Sequence, residues 1–298
     1  MKKGQMVCLC LKNKGSAVRF CLWPLIIMQY KKYHFNRLLK EFKNRLKGSD
    51  SSLEEYKYLD IVEQAVKDEA TFKIFRSIPG YKDILEHIND QLAEKYYINL
   101  REKLSHKEIV DISKLVKNIG NPQLKKFDKD ELNPTVLRYI NVALDLRSKF
   151  REYEFKNFVE LGCGFGGQAL ILDKFYKIDN YTFVDLPQVN MLIKKFLDLH
   201  NPNFKYSLST IETFDKNKGY DLFLSNYAFS ELPKNLQLKT IHSIVSKVNY
   251  GYMTVNNFNK VSIRYLNING YQNYLNNLEI FSEKPESYIF NKILIFKN

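Results

Sequence analysis

"FVELGCGFGGQALIL", residues 158–172, decides how the rest of the chain is read. An apolar run ends on Glu160, and four glycines (Gly162, Gly164, Gly166, Gly167) then fall within six positions before apolar residues resume. A strand that breaks into bare backbone and continues as a helix marks a ligand-binding turn, because glycine lets main chain approach a ligand without a side chain in the way.

Downstream, short apolar runs alternate with helical patterns. "NFVEL" reads as a buried strand, "GQALILDKFY" as a helix, "YTFVDL" as a strand, and "PQVNMLIKKFLDL" as a helix opened by Pro187. "FKYSL", "YDLFLSN" and "GYMTVN" are further strands, with "PKNLQLKTIHSIVSKV" a helix before the last of them. This rhythm predicts an α/β fold, a Rossmann-like, doubly wound, mostly parallel sheet. "LEIFSE" and "YIFNKILIFK" close the chain as an antiparallel pair at the sheet edge.

Upstream the texture is helical. "SSLEEYKYLDIVEQAVKDEATFKIF" places Ser52 and Glu55 in capping-box register and reads as one long helix. "SHKEIVDISKLVKNIG" repeats that grammar with Ser105 and Glu108 and sets Gly120 just past its end. "NPTVLRYINVALDLRSKF" has Asn133 as N-cap and Pro134 at the first helical position. The boundaries that follow are a basic arm over 1–49, a helical lobe over 50–132 and the Rossmann-like domain over 133–298.

The formal net charge is +13, but residues 1–47 hold twelve Lys or Arg against Glu41 alone, which leaves +2 for the remainder. The nearly neutral body argues against a nucleic-acid partner. In the arm, "FCLWPLIIM" (20–28) is nine residues, Pro24 among them, against the ~20 that a bilayer span needs. Two readings of the arm stand side by side. One is a dispensable or over-extended start, with Met28 the more natural beginning. The other is a basic segment resting peripherally on an anionic inner membrane surface. Cys8, Cys10, Cys21 and Cys163 form no disulfide framework, which fits a reducing cytoplasm. The five histidines show no metal-ligand spacing among themselves or with the cysteines, so no structural zinc is expected.

Two cofactors compete for the glycine turn. Gly162, Gly164 and Gly167 satisfy the dinucleotide pattern, with Asp185 where a ribose-binding acid belongs. Glu160, two residues before the first glycine, favours a cationic ligand group over a pyrophosphate, and S-adenosylmethionine carries a sulfonium and an ammonium. Glu160 reads alternatively as a capped or solvated strand-end acid, and Asp185 as an N-cap to the helix at Pro187.

The stretch from "NPTVLRYI" through "FVELGCGFGGQALIL", "FVDLPQV" and "YDLFLSNYAFSELPKNLQ" to "GYMTVN" resembles the bacterial sugar O-methyltransferases, a class I S-adenosylmethionine-dependent family. The resemblance covers residues 118–257 and, more loosely, the helical lobe. It implies that Glu160, Gly162, Gly164 and Gly166 surround the methionine moiety and that Asp185 accepts from the ribose hydroxyls. Asn226 would stand at the methyl-facing strand tip, and Arg138 would reach the cofactor carboxylate or the sugar. Glu231 is the first candidate for the general base and Tyr227 the second; Tyr227 and Phe229 read equally well as ordinary packing. The implied acceptor is a hydroxyl of a sugar, nucleotide-sugar or lipid-linked glycan. A methyltransferase acting on RNA or protein, a nicotinamide-dependent oxidoreductase and a non-catalytic Rossmann-like binding module remain the alternatives. Oligomeric state has no signature.

Overall fold

The computed structural model describes residues 50–256 and 266–298. The basic arm with Met28, Cys8, Cys10, Cys21 and His34 lies outside the described residues, as do the side chains of Ser52 and Glu55. The helical lobe comprises α1 (Asp50–Lys67), α2 (Glu69–Phe72), α3 (Pro79–Leu85), α4 (Asp90–Arg101) and α5 (His106–Ser113), followed by a hairpin of β1 (Lys125–Phe127) and β2 (Asp130–Leu132). Then come α6 (Pro134–Lys149), β3 (Asn157–Leu161), α7 (Gly167–Phe175), β4 (Asn180–Val184), α8 (Pro187–Asp198), β5 (Lys205–Ser209) and β6 (Tyr220–Asn226). The remainder is α9 (Ala228–Glu231), α10 (Lys234–Ser243), β7 (Val248–Val255), α11 (Ile268–Tyr271), β8 (Glu279–Ser282) and β9 (Lys292–Lys297).

Seven strands form one sheet in the order β5-β4-β3-β6-β7-β9-β8. The first five are mutually parallel, and β9 runs antiparallel to both of its neighbours. The Rossmann-like, mostly parallel fold is thus the one the alternating pattern predicts. Central strands β3, β4 and β6 read as nearly unbroken apolar runs because helices cover both faces of a parallel sheet. The closing pair is antiparallel and lies at the sheet edge as expected, with its second member β9 on the inner side, between β7 and β8.

The lobe departs from its expected boundaries in two places. The predicted helix over 51–75 breaks at Asp68, whose carboxylate accepts from the Thr71 amide at 2.6 Å and starts α2 anew. The helix opened by the Ser105–Glu108 capping box forms, but it ends at Ser113. Gly120 serves a different purpose. At φ +85° its carbonyl accepts from the Arg76 amide at 2.9 Å, and a Cβ there would stand 2.5 Å from the Phe75 ring.

The lobe and the sheet share one continuous hydrophobic core running from Tyr58 to Phe296. Lys195 on α8 fastens them further. Its ammonium donates to the Ala65 and Val66 carbonyls at 3.1 and 3.2 Å and pairs with Glu69 at 2.5 Å, so one cation caps the end of α1.

Candidate functional site

The turn after β3 is built on left-handed backbone. Gly162, Gly164 and Gly166 take φ of +76°, +57° and +88°, values that side-chain-bearing residues rarely adopt. Gly166 also serves as the N-cap of α7, where any side chain would press on Ile193 at 3.2 Å. The turn therefore needs glycine for its shape, and the sequence spacing had located it correctly.

Two acids stand beside this turn at the carboxyl ends of adjacent parallel strands. Glu160 on β3 is only 2% exposed and accepts from the Tyr181 hydroxyl at 2.8 Å. Burial pushes its carboxyl up to about 8, against the counteracting Tyr181 hydrogen bond and with a further push from Asp185. It is thus a buried group held by one hydroxyl, not a solvated strand end. Asp185 follows β4, accepting from the Cys163 amide at 2.7 Å and from its neighbour Leu186 at 2.7 Å. Burial raises its carboxyl to about 6, while the amides of Leu186, Cys163 and Gly164 pull the other way. Leu186, and not Asp185, occupies the N-cap position of α8. Asp185 instead staples the glycine turn to β4. Between them Cys163 is buried, and its thiol donates to the Glu160 carbonyl at 3.1 Å.

The lobe lies directly over the turn. The Leu85 side chain is 3.6 Å from where a Cβ on Gly164 would stand, and Tyr58 lies within electrostatic reach of Asp185 and Cys163. The Arg76 guanidinium sits 4.2 Å above the Phe165 ring. Arg76 carried no motif, since a single arginine within "FKIFRSIPG" looks like a surface residue until its burial is seen.

A second cluster occupies the carboxyl ends of β6 and β7, one strand along from β3. A small cleft, open to solvent, is lined there by Tyr96, Arg138, Asp145, Asn226, Tyr227 and Glu283, among others. Arg138 and Asn226, which the resemblance grouped with the cofactor, thus line this pocket together. Neighbours on α6 connect the cleft to the glycine turn: the Arg138 guanidinium lies 5.7 Å from the Tyr139 ring centroid and 5.9 Å from that of Tyr227, and Tyr139 packs on Phe165 of the turn at 6.0 Å.

Tyr227 is more than packing. Its φ of +67° and ψ of −37° are strained for an aromatic residue and are held by its amide bonding to the Thr254 carbonyl at 2.7 Å. Its hydroxyl donates to Glu283, a buried acid also bonded by Ser287 and Asn291. Burial first, then Tyr96 and Glu283, hold the phenol well above its ordinary range, so it stays protonated at neutral pH. Phe229, by contrast, is fully buried core. Glu231 lies apart from the pocket lining and accepts from Asn256 at 2.9 Å; burial raises its carboxyl to about 7. Glu283 had no signal in the sequence, because the chain brings it to Tyr227 only through the β8–β9 excursion. Among the described residues, no three His, Cys, Asp or Glu are grouped to hold a metal ion, and no helix is long and apolar enough to cross a membrane.

No family model matches the chain, and no curated protein matches it in sequence. Solved structures similar to it include PigF with SAH, 13% identical over 55% of this chain and 59% of PigF, at a TM-score of 0.40. The chain thus spans about three-fifths of the length of PigF. The N-methyltransferase NodS from Bradyrhizobium japonicum WM9 is 18% identical over 56% of this chain and 97% of its own, at 0.42. SAM-bound CalS10, an amino pentose methyltransferase from Micromonospora echinaspora, is 9% identical over 54% and 90%, at 0.41.

Proposed function

We propose that this chain is an S-adenosylmethionine-dependent methyltransferase whose acceptor is a sugar hydroxyl. The observation that carries the donor is the pairing of a left-handed glycine turn with two carboxyls, Glu160 and Asp185, at adjacent strand ends. Ligands of such sheets bind outside the carboxyl ends of the strands. A buried acid beside the turn favours a cation and opposes a pyrophosphate, which sets a nicotinamide dinucleotide aside. The residues fit the donor as follows: the bare turn faces its methionine portion, Glu160 its ammonium, and the free lone pairs of Asp185 its ribose hydroxyls. Bound there, S-adenosylmethionine supplies a methyl group activated by a sulfonium.

The acceptor reading comes from the second pocket. Tyr96, Tyr227 and Tyr252 line it together with Arg138, Asp145, Asn226 and Glu283. Aromatic faces cover the C–H surface of a pyranose while fixed donors and acceptors meet its hydroxyls. In-line transfer needs alignment and a group to take the acceptor's proton. Geometry ranks ahead of titration range in choosing that group, and Glu283 lines the pocket whereas Glu231 does not. Tyr227, a protonated phenol on Glu283, orients the acceptor oxygen toward the methyl group. The nucleotide- or lipid-linked form of the sugar, a cytoplasmic setting and contact of the arm with a membrane surface belong to the same reading. So do the domain limits at 49 and 132.

Calorimetry with S-adenosylhomocysteine and with NADH tests the donor; heat from NADH alone overturns it. Mass spectrometry of cellular glycans with and without the protein tests the acceptor, with loss of a single methyl group from one sugar expected. Among acids, Glu283→Gln is expected to slow transfer and Glu231→Gln to spare it; the reverse outcome makes Glu231 the base.

A further inference from the structure

Arg76 is fully buried, and among the described residues one of its three nitrogens has a hydrogen-bond partner. Its Nε donates to Glu86 Oε1 at 2.5 Å, and Glu86 is fixed in turn by the Thr135 hydroxyl at 2.8 Å. Among the described residues Nη1 and Nη2 meet no acceptor, and the nearby Tyr81 hydroxyl, also fully buried, has no partner either. A guanidinium withdrawn from water with two bare N–H-bearing nitrogens is costly unless an anion takes them. All three unpartnered atoms can donate, so the complement is an oxyanion with two oxygens in a plane, the arrangement that a guanidinium fork fits.

Their position identifies which oxyanion. The guanidinium lies over Phe165, the residue between Gly164 and Gly166. Tyr139 lies within electrostatic reach of both Arg76 and Glu160. A buried cation and a buried acid therefore flank one stretch of the glycine turn, suited to the two ends of an amino-acid zwitterion, the acid giving up its proton as the ammonium arrives. We infer that Arg76, assisted by Tyr81, binds the α-carboxylate of the donor's methionine head. This assignment rests on the donor reading above. It makes the helical lobe part of the cofactor site: α3 supplies Tyr81, and the turn before it supplies Arg76.

The test uses the whole chain and three ligands: S-adenosylhomocysteine, its decarboxylated analogue and 5′-methylthioadenosine, which lacks the amino-acid head. Wild type is expected to prefer S-adenosylhomocysteine to the decarboxylated analogue by roughly ten- to hundred-fold, the range of a charged bidentate contact. Arg76→Met is expected to erase that preference while binding 5′-methylthioadenosine as wild type does. Arg76→Lys keeps the charge without the fork and should retain part of the preference; it serves if the Met variant fails to fold. An equal loss for all three ligands, or an intact preference in the variants, overturns the assignment. Failure of wild type to bind any of the three instead overturns the donor reading itself.

Discussion

At Glu160, burial and function pull in opposite directions. A carboxyl raised to about 8 is protonated at neutral pH, yet a sulfonium or ammonium favours the carboxylate. Donor binding should therefore expel a proton. Affinity for S-adenosylhomocysteine, whose ammonium remains, is expected to rise nearly tenfold per pH unit from 6 to 8 and then level off. Calorimetry in buffers of differing ionisation enthalpy should detect close to one proton released near pH 7. Glu160→Gln should flatten the profile, and an unchanged slope in that variant removes Glu160 from the donor's surroundings. Asp185 differs because its oxygens already hold the turn's own amides. Asp185→Ala is expected to weaken donor affinity and also to loosen the turn, seen as faster amide exchange at Cys163 and Gly164. Loss of affinity with unchanged exchange would confine its role to the ribose.

How much of the site was legible depended on how local its signal was. The glycines and Glu160 announced themselves because one strand, one turn and one helix follow each other within fifteen residues. Arg76 and Glu283 did not. They reach the site from 86 positions before Gly162 and 121 after it, through packing that no spacing encodes. The same divide holds for the separate elements. Local punctuation set the starts of α5, α6 and α8, where Ser105, Asn133 and Pro187 act as anticipated. Strand order escaped notice because β9 owes its interior position to β7, with which it pairs from Tyr250 to Val255. Gly251 is the key to that pairing: a Cβ there would meet the Phe296 ring at 1.9 Å. Gly251→Ala is expected to cost about 3 kcal/mol through overpacking, measured by urea denaturation. An effect within ~0.5 kcal/mol would show that Phe296 can turn aside and that the insertion does not depend on the glycine.

For the molecule as a whole, the acids make stability depend on pH in an uncommon direction. Glu160 and Glu231 have folded-state values of about 8 and 7, above their ordinary 4.5, so the folded state holds protons that the unfolded chain has released. Their contribution is complete below pH 4.5 and is lost as pH rises through those values. His87 and His200 are shifted downward by burial and work the other way, but both are neutral in either state above about 7. The unliganded protein should therefore lose melting temperature from pH 7 to 8.5, and Glu160→Gln should remove most of that slope. A flat or rising trend would mean that Glu160 is ionised in the free protein.

The arrangement of α1, Leu85 and Arg76 over the glycine turn, fastened through Lys195, also bears on timing. On the donor reading proposed above, a spent donor beneath such a roof would leave when the roof parts from the sheet, so egress and not bond-making would pace each cycle. Rapid quenching should then show one fast equivalent of methylated acceptor per chain followed by a slower steady phase. Lys195→Met should quicken the second phase while leaving the first alone, and a linear time course from the outset would mean that the roof opens freely.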